Sequence, residues 1–183
     1  MEAKLGNKKI GRDTVIFNIT SATDCPSRKL NLCQIPTNCY ALRPERRWIR
    51  TLPYRRRQNR DWDRQSVKEI AKDIYEIVNK NTKYVRYSES GDFRIQEDIE
   101  KMVELTEEMS ELIFYGYTAR KDLSFKNLPK NFIVNGSGFM LDNSFTCLPR
   151  KMLNRYQIIC STNCRICNLC KEKKGRVIFN AIH

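Results

Sequence analysis

Apolar positions along the chain alternate between short β-branched runs and helical stripes. Thr14–Thr20 is β-branched and apolar and predicts a buried strand leading straight into Cys25. Residues 21–65 hold three cysteines, four prolines and a dense arginine tract, and predict an elaborate loop with room for a short helix. Ser66, Val67, Lys68 and Glu69 fit a helix-capping box. Behind it Val67, Ile70, Ala71, Ile74, Tyr75, Ile77 and Val78 recur at helical spacing, so an amphipathic helix is predicted over 66–80. Lys83–Ser88 is the next strand, broken by Ser90, Gly91 and Asp92. A second helix carries Ile95, Ile99, Met102, Val103, Thr106 and Met109 on one face. Its other face is acidic, with Glu97, Asp98, Glu100, Glu104, Glu107 and Glu108, which places it away from any nucleic acid. Strands follow at Leu112–Thr118, Asn131–Asn135 and Tyr156–Ser161, with a last short one at Val177–Phe179; Asp122–Asn127 has length only for a short crossover helix.

This strand–helix order predicts an α/β fold: a mainly parallel sheet of five to six strands with helices, incomplete and barrel-like or open, in a single domain over 1–183. Within it, 21–65 reads as a cysteine- and arginine-rich loop insertion and 156–183 as a cysteine-rich metal-binding segment. Ligands in such sheets sit at the carboxyl ends of the strands. The loops there, 20–25, 88–93, 118–122, 135–139 and 161–167, hold much of the cysteine and glycine, so the chemistry is expected on one rim.

Composition adds a compartment and a charge. Hydrophobic residues make up 40% of the chain, a globular proportion. No apolar run approaches the roughly 20 residues that cross a bilayer, and Met1–Gly11 lacks the apolar centre of a signal peptide. The expectation is a soluble, cytoplasmic protein with no membrane partner. The formal net charge of +13 favours a polyanion such as nucleic acid or a nucleotide; the plainer reading is that it aids solubility.

Eight cysteines in a reducing compartment point to metal rather than to disulfides. Cys160, Cys164, Cys167 and Cys170 are spaced C-x3-C-x2-C-x2-C, a tight run of the kind that ligates ferredoxin-type clusters. Structural zinc more often pairs two C-x2-C knuckles from separate segments, so an iron–sulfur cluster is favoured and zinc is the alternative. Cys25, Cys33 and Cys39, in the loop after the first strand, can hold three irons of a 4Fe–4S cluster and leave the fourth open. The two groups supply one shared centre or two. Cys147 stands apart in a polar segment, as a ligand or as a buried small hydrophobe. The single histidine, His183, excludes a metallohydrolase built on several histidines.

Several of these pieces carry a resemblance. Asp24-Cys25-Pro26, Cys39-Tyr40-Ala41, Arg86 through Phe93, Phe114 through Thr118, and Cys164-x2-Cys167-x2-Cys170 with His183 resemble the phage "gene product 88" family. More distantly the chain resembles radical S-adenosylmethionine (SAM) enzymes, which place three cysteines, usually C-x3-C-x2-C, after the first strand. Here the spacing is wider, and Tyr40 follows the last cysteine of the trio. The SAM resemblance implies that the turn Glu89, Ser90, Gly91 and Asp92 receives the cofactor, with Asp92 or Glu89 on the methionyl ammonium. Read without the resemblance, the same turn is a strand-to-helix connection in which Asp92 caps the following helix. The phage resemblance implies the host cytoplasm, and a host protein as one partner.

The arginine tract holds nine arginines over 43–64, interleaved with Trp48, Tyr54 and Trp62. Arginine forks grip phosphates and aromatic faces stack on unpaired bases. Arg46, Arg47, Arg50, Arg55, Arg56, Arg57 and Arg60 are the candidate nucleic-acid contacts. Alternatively the tryptophans anchor the loop and the arginines pair with Glu45, Asp61, Asp63 and the acidic helix. Lys171, Lys173, Lys174 and Arg176 form a second basic cluster. Two readings follow: a radical-SAM-like iron–sulfur enzyme acting on nucleic acid or a nucleotide, or a non-enzymatic nucleic-acid-binding or host-interaction protein with structural zinc.

Overall fold

The structure is a computed structural model, and it describes residues 1–182. Eight strands form one sheet in the order β1-β2-β3-β4-β5-β6-β8-β7. They are β1 (Lys4–Leu5), β2 (Thr14–Phe17), β3 (Tyr84–Tyr87), β4 (Ile113–Thr118), β5 (Phe132–Ser137), β6 (Asn143–Leu148), β7 (Ile158–Ile159) and β8 (Val177–Ala181). Only β1 runs antiparallel to its neighbour. The expected parallel α/β sheet is present, but it has eight strands, not five or six, and its edge strands β1 and β7 do not pair, so it is open rather than barrel-like.

Strand alternation sorts the side chains onto two faces. Val15, Phe17, Val85, Tyr87, Phe114, Phe132 and Val134 point to one face and are buried. Helices α3 (Thr51–Arg64), α4 (Val67–Tyr75) and α5 (Gln96–Glu108) cover it with Trp62, Ile70, Ile74, Ile99, Met102 and Leu105. The capping box that starts α4 is complete: Ser66 Oγ accepts from the Glu69 backbone and Glu69 accepts from the Ser66 backbone. Asp98 of α5 accepts from the Trp62 indole at 2.8 Å and from the Arg94 guanidinium, locking α3 to α5.

The segment 21–65, expected as loop, contains α1 (Pro26–Lys29), α2 (Leu42–Arg47) and the 14-residue α3. The crossover expected at Asp122–Asn127 is not helical. Residues 138–142 alone join the parallel strands β5 and β6, far fewer than the usual dozen. Gly138 turns the chain at φ 86°.

The other face carries Arg86, Tyr115, Tyr117, Ile133, Asn135, Phe145, Cys147 and Ile178, judged from strand register and from the second apolar cluster. No helix covers it. Residues 160–176 leave β7, cross this face without helix or strand, and enter the parallel β8, burying Cys170 and packing Leu169 and Cys160 against it.

Candidate metal centre

The C-terminal cysteine segment is tied to the sheet by carboxamides. Asn135 donates to the Cys170 carbonyl at 3.0 Å, and Asn143 donates to the Glu172 carbonyl at 2.7 Å. Cys170 is buried, with the Tyr117 hydroxyl near its sulfur. Burial raises the Cys170 thiol, opposed by that hydroxyl and by the charge of Arg86. Burial likewise raises Cys160, with the neighbouring Cys164 and Cys167 adding to it. Lys171, next in the chain, is buried with its ammonium 4.0 Å from the Tyr84 ring centroid.

The N-terminal cysteines are held by a different device. Cys25 lies in the turn that starts α1, and Ser27 folds the loop back by accepting from the Leu32 and Cys33 backbones. Gln34 then pins the loop to the sheet, donating to Ser137 Oγ and the Phe145 carbonyl and accepting from the Cys147 backbone at 3.1 Å. Burial, then the nearby Asp92 carboxylate, push the Cys25 thiol up to about 12. Cys33 and Cys147 are raised chiefly by burial as well. All eight cysteines are free thiols. Among the described residues, no three histidine, cysteine, aspartate or glutamate side chains stand arranged to hold a metal ion.

On the same face lies Arg86 of β3. Its side chain passes over the rings of Tyr115 and Tyr117, at 5.9 and 5.2 Å from their centroids. The residue is 9% exposed, and its Nε has no hydrogen-bond partner. It lies close enough to Cys170 on one side and Tyr40, beside Cys39, on the other to feel their charge. Ser88, at the end of the same strand, has φ 53° and a buried Oγ that is also unpartnered. The Arg86 cation has no carboxylate beside it; its neighbours are the Tyr40, Tyr115 and Tyr117 phenols and the Cys170 thiol.

The turn expected to receive SAM has other partners. Asp92 is buried and accepts from Ser27 Oγ at 2.6 Å, the Ala119 backbone at 2.8 Å and the Phe93 backbone at 2.9 Å. It braces the loops after β2, β3 and β4 together, and burial raises its carboxyl against those bonds. It does not cap α5, whose first turn begins after Ile95 with no side-chain cap. Ser90 bonds Asn18 and the Thr20 carbonyl, and Gly91, at φ 74°, lies where a Cβ would come within 2.5 Å of that carbonyl. Glu89 bonds Lys4 and Asn7, and its carbonyl accepts the Tyr40 hydroxyl at 2.7 Å.

The arginines divide. Arg55 is buried and bonded to Glu45 and the Ala41 carbonyl, a structural pair rather than a phosphate contact. Arg56 grips Asp24 through two hydrogen bonds, and Arg57 pairs with Glu2. Arg43, Arg46, Arg47, Arg50, Arg60 and Arg64 are exposed. Trp62 is core, whereas Trp48 is 58% exposed, with the Arg47 guanidinium over its ring. No described helix is long and apolar enough to cross a membrane. His183 lies outside the described residues.

Residues 1–175, a span containing all eight cysteines, match the family model described as Gene product 88. No curated protein and no solved structure matches the chain.

Proposed function

The chain belongs to the Gene product 88 family, and we propose that it is a metal–thiolate protein acting on nucleic acid. The observation that supports this reading is the buried Arg86, its Nε without a partner, near Cys170 on the sheet face that the C-terminal cysteine segment crosses. Cys160, Cys164, Cys167 and Cys170 would hold one centre, and Cys25, Cys33 and Cys39 would contribute to another. The successive x2 spacing of the C-terminal run favours an iron–sulfur cluster. Such a centre supplies electron transfer or radical chemistry when bound. The chain's own part is to shield it: Tyr115, Tyr117, Phe145 and Ile178 form the dry floor beneath it, and Arg86 and Lys171 supply positive charge. Asp92 is a brace in this reading, so SAM is not carried into it.

Arg43, Arg46, Arg47 and Arg50 follow directly on Cys39 in the chain, and Arg56 is anchored to Asp24 beside Cys25. This exposed basic surface would bring a phosphate backbone to the edge of the N-terminal cysteine group, with Trp48 available for stacking. Iron, zinc and acid-labile sulfide per chain in protein prepared without oxygen test the metal. Iron with matching sulfide supports the cluster; zinc without sulfide selects a non-enzymatic zinc protein; a folded chain with neither overturns the reading. Binding to a labelled single strand at several salt concentrations tests the partner, and affinity indifferent to salt overturns that half.

A further inference from the structure

Four buried side-chain atoms lack a hydrogen-bond partner among the described residues: Asn59 Nδ2, Arg86 Nε, Ser88 Oγ and the Tyr115 hydroxyl. Asn59 belongs to α3, but the other three gather on two adjacent strands. Arg86 of β3 and Tyr115 of β4 are direct partners in register, and Ser88 follows Arg86 by two positions at the carboxyl end of β3. The three residues are 9%, 7% and 0% exposed in the order Arg86, Ser88, Tyr115. Protein interiors leave few such atoms, so three together call for a partner that is not protein. Hydroxyls can donate or accept, but a guanidinium only donates, so that partner carries acceptors. The rings of Tyr115 and Tyr117, at 5.9 and 5.2 Å from the guanidinium carbon, return part of what a buried cation loses on leaving water. They offer Nε no acceptor, and no carboxylate stands beside it.

Ser88 adds an independent sign. Its φ of 53° is left-handed, a conformation that costs a serine and that glycine adopts freely. Its backbone N–H donates to the Phe17 carbonyl at 2.9 Å, which holds it there. Strain of this kind gathers at ligand sites, and the carboxyl ends of parallel strands are the rim on which α/β sheets bind ligands. Tyr40, half exposed, lies at this end of β3, where its hydroxyl donates to the carbonyl of Glu89, the residue after Ser88.

We infer that Arg86 and Ser88, with the Tyr115 hydroxyl, form a binding site for one phosphate group at the carboxyl end of β3. A guanidinium with hydroxyl donors is a donor set suited to phosphate. Three donors from separate side chains suit a tetrahedral oxyanion, whose oxygens face several ways, better than a planar carboxylate, which one arginine fork satisfies. Binding supplies the counter-charge that Arg86 lacks. The site shares Arg86 with the metal–thiolate reading but needs no metal.

The test uses the full chain at constant ionic strength, with chloride as the reference anion. Binding and thermal melting are followed with inorganic phosphate, a nucleoside monophosphate and a short single strand bearing a 5′-phosphate. The melting temperature should rise saturably, by roughly 5 °C or more at a hundredfold excess over Kd. Inorganic phosphate sufficing marks the free ion as the ligand; a need for the mononucleotide or for the strand marks those sources instead. Arg86→Lys keeps the charge and loses the fork, and should bind at least ~10-fold more weakly. Ser88→Gly separates binding from folding: it removes the hydroxyl and the backbone strain together, so it should melt no lower than the wild type yet bind about tenfold more weakly. No saturable binding of any of the three probes, or equal affinity in the wild type, Arg86→Leu and Ser88→Gly, overturns the inference. Metal content measured on the same samples keeps the two readings apart: a metal-loaded chain indifferent to phosphate overturns this one alone, and a metal-free folded chain that binds phosphate overturns only the other.

Discussion

On one face of the sheet, Phe17, Val85, Phe114 and Val134 lie beneath three helices whose own contacts are apolar or reciprocally bonded. On the other face, Arg86, Tyr115, Tyr117 and Asn135 lie beneath a chain segment with no helix or strand, attached by a few carboxamide bonds. The first cover is held by the hydrophobic effect and needs nothing added. The second buries a guanidinium nitrogen and a serine hydroxyl without partners, and it carries Cys147, Cys160 and Cys170 as free thiols. Buried polar atoms without partners are costly, so a face built this way is organised for something other than stability. The contrast separates a helix-packed scaffold from a polar, cysteine-bearing face.

The comparison can be broken most forcefully at Asp98. It ties Trp62 of α3 and Arg94 to α5, so Asp98→Ala should cost about 3–5 kcal/mol in urea unfolding, equally with and without metal. Burial alone would raise the Asp98 carboxyl, but the Arg94 guanidinium and backbone and the Trp62 indole hold it below the usual carboxylate range. Its folded value is depressed, so its contribution is full above the unfolded value of ~3.9 and is lost as pH falls through the folded one. Stability of the wild type should therefore decline below about pH 4, and less steeply in Asp98→Asn.

Removal of metal should act on the other face alone. Hydrogen exchange in 160–176, β7 and β8 should quicken by about tenfold or more while β3, β4 and α5 keep their protection. Uniform quickening would mean that the faces are not energetically distinct. Arg86→Leu should change sign with loading: slightly stabilising in metal-free protein, where it removes an uncompensated buried charge, but releasing metal about tenfold faster when loaded. The smallest effect is expected on the outer surface. Arg46→Ala, Arg47→Ala and Arg50→Ala together should lower the salt slope of single-strand binding by about 2, at ~0.7 per phosphate contact. They should leave the melting temperature nearly unchanged, because these arginines are exposed.

The helix-covered face was the legible one. Val67, Ile70, Ala71 and Ile74 repeat at helical spacing behind a capping box, so α4 could be read directly, and the β-branched runs of β2 and β3 announced buried strands. α3 was hidden because its inward positions are Arg55, Gln58 and Trp62; two of the three are polar, and no apolar stripe forms. β6 was hidden for the same reason, since Asn143, Ser144 and Thr146 break the alternation, and Cys147 consequently looked solitary. The spacing of the cysteines pointed to metal, but only the grip of Gln34 on β6 shows which strand Cys33 faces. Nor could any local pattern disclose that Ser90, Gly91 and Asp92 form a joint, because Asp92's partners lie at Ser27 and Ala119.

X-ray absorption at the metal edge of the oxygen-free, loaded protein reads the cysteine-lined face most directly. A first shell made of sulfur, four neighbours for each metal, is expected if thiolates from both cysteine groups close around their ions. A shell of oxygen and nitrogen, or metal that washes away while every cysteine remains alkylatable, would contradict it.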